Sequence, residues 1–153
     1  MSNIDFDFKI LLHTHCLKLV RAKLNSIQIL IDAQKTDLNT TTKSSAGDKH
    51  ETSRAMIHLE QEKLGLQFQE VEKQFRILSQ IKIELNYAPQ TGSLIQTDMA
   101  LFYISIGIGS VIINGVLIYI ISPLSPLAQA FLIAPDLKSI QFNGVDYSIR
   151  AIV

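Results

Sequence analysis

Apolar residues recur at alternating steps of three and four in two long stretches of the chain. The first runs Ile10, His13, Leu17, Val20, Leu24, Ile27, Ile31, Gln34, Leu38, and the second Ile57, Gln61, Leu64, Phe68, Val71, Phe75, Leu78, Lys82, Leu85. That rhythm is the seam of a coiled coil, and it predicts one helix from residue 6 to about 42 and a second from near Asp48 to about Leu85. The two series are mirror images. Paired from Leu38 with Ile57 out to Ile10 with Leu85, the residue numbers always sum to 95. Two antiparallel helices joined by a short turn produce that symmetry, because each layer lies equally far from the turn. The arrangement sets Gln34 opposite Gln61, where the two amides can satisfy one another and fix the register. It also sets His13 opposite Lys82 at the open end, near solvent.

The mirror point falls between Gly47 and Asp48. Thr40, Thr41, Thr42, Ser44 and Ser45 weaken the helix before it, since their side chains compete for backbone hydrogen bonds, and Gly47 frees the backbone for a turn. At ~1.5 Å per residue each arm is roughly 50 to 55 Å long. Residues 1–86 therefore read as a helical hairpin with its tip at 46–52. Asn86 to Gly92 breaks the pattern with Pro89 and Gly92, so 87–92 reads as a linker and 93–153 as a second domain.

In that second domain the rhythm changes to short stretches rich in β-branched and aromatic residues. Strands are expected at Ser93–Thr97, Leu101–Ile106, Val116–Ile121, Ile140–Phe142 and Tyr147–Ile152, with tight turns at Asn114-Gly115 and Asn143-Gly144. Ser125-Pro126 opens a short helix through about Leu132, with Ser125 as N-cap and Pro126 in its first turn. Five strands and one small helix give an α+β domain.

Composition sharpens the division. The formal charge of the 153 residues is zero, which argues against a broad basic face for sequence-independent nucleic-acid binding. Residues 1–86 hold 12 basic and 11 acidic side chains, whereas 87–153 hold only Lys138, Arg150, Asp98, Asp136 and Asp146. So apolar a second half must be well packed, partner-bound or in lipid, and self-association through it is one expectation. Met99–Ile121 is 23 residues without a charge, long enough to span a bilayer. Three glycines, a β-branched bias and the lack of flanking Lys or Arg favour buried strands instead. The single cysteine, Cys16, excludes an internal disulfide and reads as a packed thiol. Asp5 and Asp7 in place of a basic leader give the expectation of a cytoplasmic protein.

Candidate chemistry concentrates at the tip. Asp48 and Glu51 stand three apart at a helix start, where they fit a capping box and suit the helix dipole. They also fit a share in Mg²⁺ binding, since that ion is typically held by one or two carboxylates with other oxygens completing its octahedron. The four histidines lack the clustered ligand company of a zinc site, and Gly107-x-Gly109 lacks the lysine of a phosphate loop.

Gly47-Asp48-Lys49-His50-Glu51 resembles the tip motif of the Gre family of transcript-cleavage factors, Gly-Asp-Leu-Ser-Glu-Asn-Ala-Glu-Tyr, in its Gly, Asp and Glu. Asn114-Gly115 followed by Ser125-Pro126-Leu127-Ala128-Gln129-Ala130-Phe131-Leu132 resembles that family's Asn-Gly … Ser-Pro-Ile/Leu-x-x-Ala-Leu pattern. Asn143-Gly144-Val145-Asp146-Tyr147-Ser148-Ile149 resembles its closing strand. The resemblance implies an FKBP-like domain with an antiparallel sheet and RNA polymerase as the partner. It further implies that the second domain docks through Ser125 and Pro126 while the hairpin enters the secondary channel. Asp48 and Glu51 would there help hold a Mg²⁺ shared with the polymerase, which cleaves its own backtracked RNA; the chain has no cofactor of its own and is not itself an enzyme. Lys49 and His50 replace Leu-Ser, and Arg54 falls where a second Glu is expected. Arg54 or Lys49 can pair with the tip acids, and His50 titrates near neutrality. These modulating positions raise the alternative of a channel occupant that inhibits without stimulating cleavage. Two readings of another kind are a coiled-coil adaptor and a membrane-anchored coiled coil, the latter requiring Met99–Ile121 to be one helix.

Overall fold

A computed structural model describes residues 4–42, 47–134, 136 and 138–153, and only the backbone of 38–42 and 47–50. Two long helices come first, α1 (Phe6–Thr42) and α2 (Gly47–Gln80). Four short strands follow: β1 (Leu94–Thr97), β2 (Leu101–Ile104), β3 (Gly109–Ile113) and β4 (Val116–Ile121). A short helix α3 (Pro126–Leu132) precedes the last hairpin, β5 (Ser139–Phe142) and β6 (Val145–Ile152). The class is α+β. Among the described residues no helix is long and apolar enough to cross a membrane, and residues 99–121 form β2, β3 and β4 where a membrane anchor needs one helix.

By packing, the chain divides into a unit of residues 17–76 and a unit of residues 1–16 with 77–153. The division falls inside the two helices, and the first turns of α1 make their bonds with residues of the sheet-bearing unit. Within 17–76 the helices pack together along the expected seam. Leu17, Val20, Leu24, Ile27, Ile31 and Gln34 are buried or half-buried on α1, as are Ile57, Gln61, Leu64, Phe68, Val71 and Phe75 on α2, while most of their neighbours are exposed. The Arg21 guanidinium lies 5.3 Å from the centre of the Phe75 ring. The register amides differ from expectation: Gln34 Oε1 is buried without a hydrogen-bond partner.

The outer layers of the predicted seam do not form. α2 stops at Gln80, and residues 81–86 continue without helix. Their pattern explains the stop. Ile81 and Ile83 are half-buried while Lys82 and Glu84 are exposed, a period of two set by β-branched residues. Lys82 Nζ meets Glu84 at 3.1 Å across that alternation, so neither Lys82 nor Leu85 faces α1 as a seam residue. Ile10 is correspondingly 42% exposed. His13 does not face Lys82 near solvent; it is buried within the sheet-bearing unit.

The sheet has six strands in the order β3-β4-β2-β1-β6-β5, one more than expected. Gly107 and Gly109 interrupt the apolar run, yet Gly109–Ile113 pairs antiparallel with β4 from Gly109↔Ile120 to Ile113↔Val116. Nor is the sheet wholly antiparallel. After β2 the chain crosses to the edge as β3 and returns through Asn114-Gly115, so β4 inserts beside β2 and runs parallel to it, Leu101↔Ile118 to Ile104↔Ile121. Both tight turns take the expected left-handed form, with positive φ at Asn114 and Gly115 and again at Asn143 and Gly144. α3 packs on one face of the sheet, where Ile95, Phe102, Ile104, Ala128, Phe131 and Ile140 form a buried cluster.

Candidate functional site

The expected site residues fall in two separate units: the tip in residues 17–76, and Ser125 with Pro126 in the other. At the tip, Ala46 lies outside the described residues, as do the side chains of Asp48, Lys49 and His50. The backbone is informative. α2 begins at Gly47, so the backbone of Asp48 already lies inside its first turn, three residues before Glu51. Glu51 and Arg54 are exposed and share the same spacing. Among the described residues no group of three or more His, Cys, Asp or Glu side chains gathers to hold a metal.

Ser125 caps α3. Its backbone is extended at φ −68° and ψ 148°, its Oγ accepts from the Ala128 amide at 3.3 Å, and Pro126 follows at the helix start. The same hydroxyl donates to the Ser122 carbonyl at 2.7 Å. Gln129 Nε2 closes the corner on the Pro123 carbonyl at 2.5 Å. These bonds set Leu124, 84% exposed, and the exposed Pro126 on a stiff corner. Next to it, a cleft of about 320 Å³ is lined by Met99, Ala100, Phe102, Tyr119, Ile121, Leu127 and Tyr147. Phe102 stacks on Tyr119 with ring centres 5.7 Å apart and meets Tyr147 edge-on at 5.7 Å. Rigid aromatic walls of this kind suit an apolar side chain of a partner.

The sequence reading missed a buried polar cluster at the base of α1. Lys9 is fully buried, and its ammonium donates to the Glu84 carbonyl at 2.6 Å, Asn86 Oδ1 at 2.8 Å and the Val153 carbonyl at 2.9 Å. Three acceptors match its three N–H donors. One turn on, His13 Nδ1 and the Tyr103 hydroxyl are 2.7 Å apart. Ser93 Oγ, also buried, donates to Asn86 Oδ1 at 3.0 Å and ties the start of β1 into the network. Burial dominates the electrostatics. It pulls the Lys9 ammonium down to about 8, with Glu84 opposing, and lowers His13, to which the Lys9 charge adds. It pushes the Cys16 thiol up to about 12 and raises the Tyr103 phenol, the latter with help from Cys16. Cys16 is therefore the packed thiol its position suggested, with no thiolate for chemistry near neutral pH. The cluster joins α1, residues 84–86 and both central strands of the sheet, and its polar groups satisfy one another. It is an anchor. Its sequence signal was the spacing Lys9, Leu12, Cys16, a face one residue before the seam positions Ile10, His13 and Leu17.

Compared with family models, with curated proteins and with solved structures, the chain finds no match.

Proposed function

We propose that the protein is an RNA polymerase-binding regulator of transcript elongation, with an FKBP-like second domain that docks on the polymerase and a helical hairpin that enters its secondary channel. One observation carries the reading: Asp48 and Glu51 lie within the first five residues of α2, one of two packed helices of roughly 50 Å. Acids so placed reach a distant metal and are poorly placed to build a site of their own. Support also comes from the Ser-Pro corner, where Leu124 and Pro126 are held exposed beside an aromatic cleft.

Bound Mg²⁺ in such a complex would supply a nucleophilic water and stabilise the leaving oxygen during RNA cleavage. The contribution of this chain is to bring two carboxylates to that ion and to exclude bulk water from the channel. Arg54, on the face of Glu51, competes for the same carboxylate and favours a second reading: a channel occupant that modulates elongation without promoting cleavage.

The test is a purified polymerase stalled in a backtracked complex, with the protein added and RNA length followed in the presence of Mg²⁺. Shortening that vanishes in the Asp48→Asn, Glu51→Gln double variant is the expected outcome. Binding that slows elongation without shortening selects the second reading. Failure to bind the polymerase removes both and leaves the adaptor.

A further inference from the structure

The two edges of the sheet differ in a way that bears on self-association. At one edge, β5 is guarded by charge: the exposed Asp136 and Lys138 precede it, and Gln141 pairs with Asp146 on β6. At the other edge, β3 reads Gly-Ser-Val-Ile-Ile and has only β4 as a neighbour among the described residues. Every second residue of such an edge strand points its N–H and C=O away from the sheet. Natural edges are usually blunted by Lys, Pro, a bulge or a covering element. β3 contains no Lys or Pro, its ladder with β4 is regular over all five pairs, and no charged residue occurs from 99 to 121. Its outward side chains include Ile112, 66% exposed, beside Leu117, 45% exposed, on β4.

We propose that β3 is a self-pairing edge: two copies of this chain join antiparallel through Gly109–Ile113 and continue the sheet across a two-fold axis. An unsatisfied strand edge calls for another strand edge as its occupant. The choice of a second copy follows from charge and symmetry. An uncharged strand imposes no repulsion on its own copy and offers no handle to select a charged partner. A two-fold axis near Val111 sets Ser110 beside Ile112 of the partner subunit and makes the apolar strip formed with Leu117 continuous across both copies. The closed two-fold contact also stops at a dimer, since among the described residues each copy uses its one sheet edge without flanking charge. This inference is independent of polymerase binding.

Sedimentation velocity of the full chain over about 1 μM to 1 mM tests it. The expected result is a concentration-dependent dimer, with the dissociation constant weakened about tenfold or more by Ile112→Lys and by Ser110→Lys, each of which sets two cations beside the axis. Both positions are exposed, so circular dichroism should be unchanged. Val145→Lys, on β6 away from this edge, should leave the dimer intact. Amide exchange supplies a second readout: alternate β3 amides should gain protection as concentration rises. A chain monomeric throughout the series overturns the proposal, and so does a dimer indifferent to both lysines.

Discussion

The hairpin of residues 17–76 and the sheet-bearing unit are held together by different kinds of contact. In the hairpin, a single line of side chains separates two helices, and most seam residues, such as Leu24, Ile31, Ile57 and Phe68, are only half-buried. In the sheet-bearing unit, Leu94, Ile95, Tyr103, Ile104, Ile118 and Phe131 are fully buried, and a lysine is buried with them. A two-helix seam has solvent along both sides, so each layer contributes little and the arm is held by the number of its layers. A sheet covered on a face removes whole side chains from water, and can therefore hold a charge whose every donor is satisfied. The lesson is a division of labour: stability resides in the unit that carries the anchor, and the arm is free to keep a polar surface.

The largest effect expected from that contrast is at Phe131. Phe131→Ala empties the centre of the cluster on α3 and should cost about 3 to 5 kcal/mol in denaturant unfolding followed by circular dichroism. A cost below that of Leu64→Ala in the hairpin would break the comparison.

The pH dependence should come from the anchor as well. Lys9 titrates at about 8 in the folded chain against 10.5 unfolded, so the unfolded chain binds more protons between those values and stability rises as pH climbs from 8 to 10.5. The gain is at most about 3 kcal/mol, and Lys9→Met should flatten that part of the profile. His13 acts in the same direction on the acid side: its lowered folded value means that stability falls as pH drops below 6.5. A profile falling from pH 8 to 10.5 would contradict the burial of the ammonium.

The smallest effect belongs to the arm. Gln34 Oε1 is buried and unpartnered, so Gln34→Leu should stabilise the hairpin by about 0.5 to 1 kcal/mol, read as a shift in denaturant midpoint. Destabilisation instead would show that the amide fixes the register.

Much of this organisation was legible in the chain itself. The start of α1, both Asn-Gly hairpins and the Ser125 cap each depend on neighbours a few residues away, where helical periodicity, left-handed turns and capping are decided. Misreadings came where distant residues competed. The pattern carried α2 on to Leu85, but the Glu84 carbonyl accepts from Lys9, and the alternation of Ile81 and Ile83 prevailed. β3 was hidden by two glycines, and the parallel pairing of β2 with β4 depends on where a returning hairpin inserts. Lys9 looked like an ordinary surface cation because nothing near it in the chain announces its three acceptors.

By itself the sequence determined the two helices, their packed seam and a β-rich second half with a short capped helix, since hydrophobic period and turn chemistry are local properties. Only the tertiary structure decided which face of α1 is buried before residue 17, which strands lie at the edges of the sheet, and that an ammonium, an imidazole and a phenol meet inside it. Those outcomes join residues up to 144 positions apart, as Lys9 and Val153 are, and no local rule reaches that far.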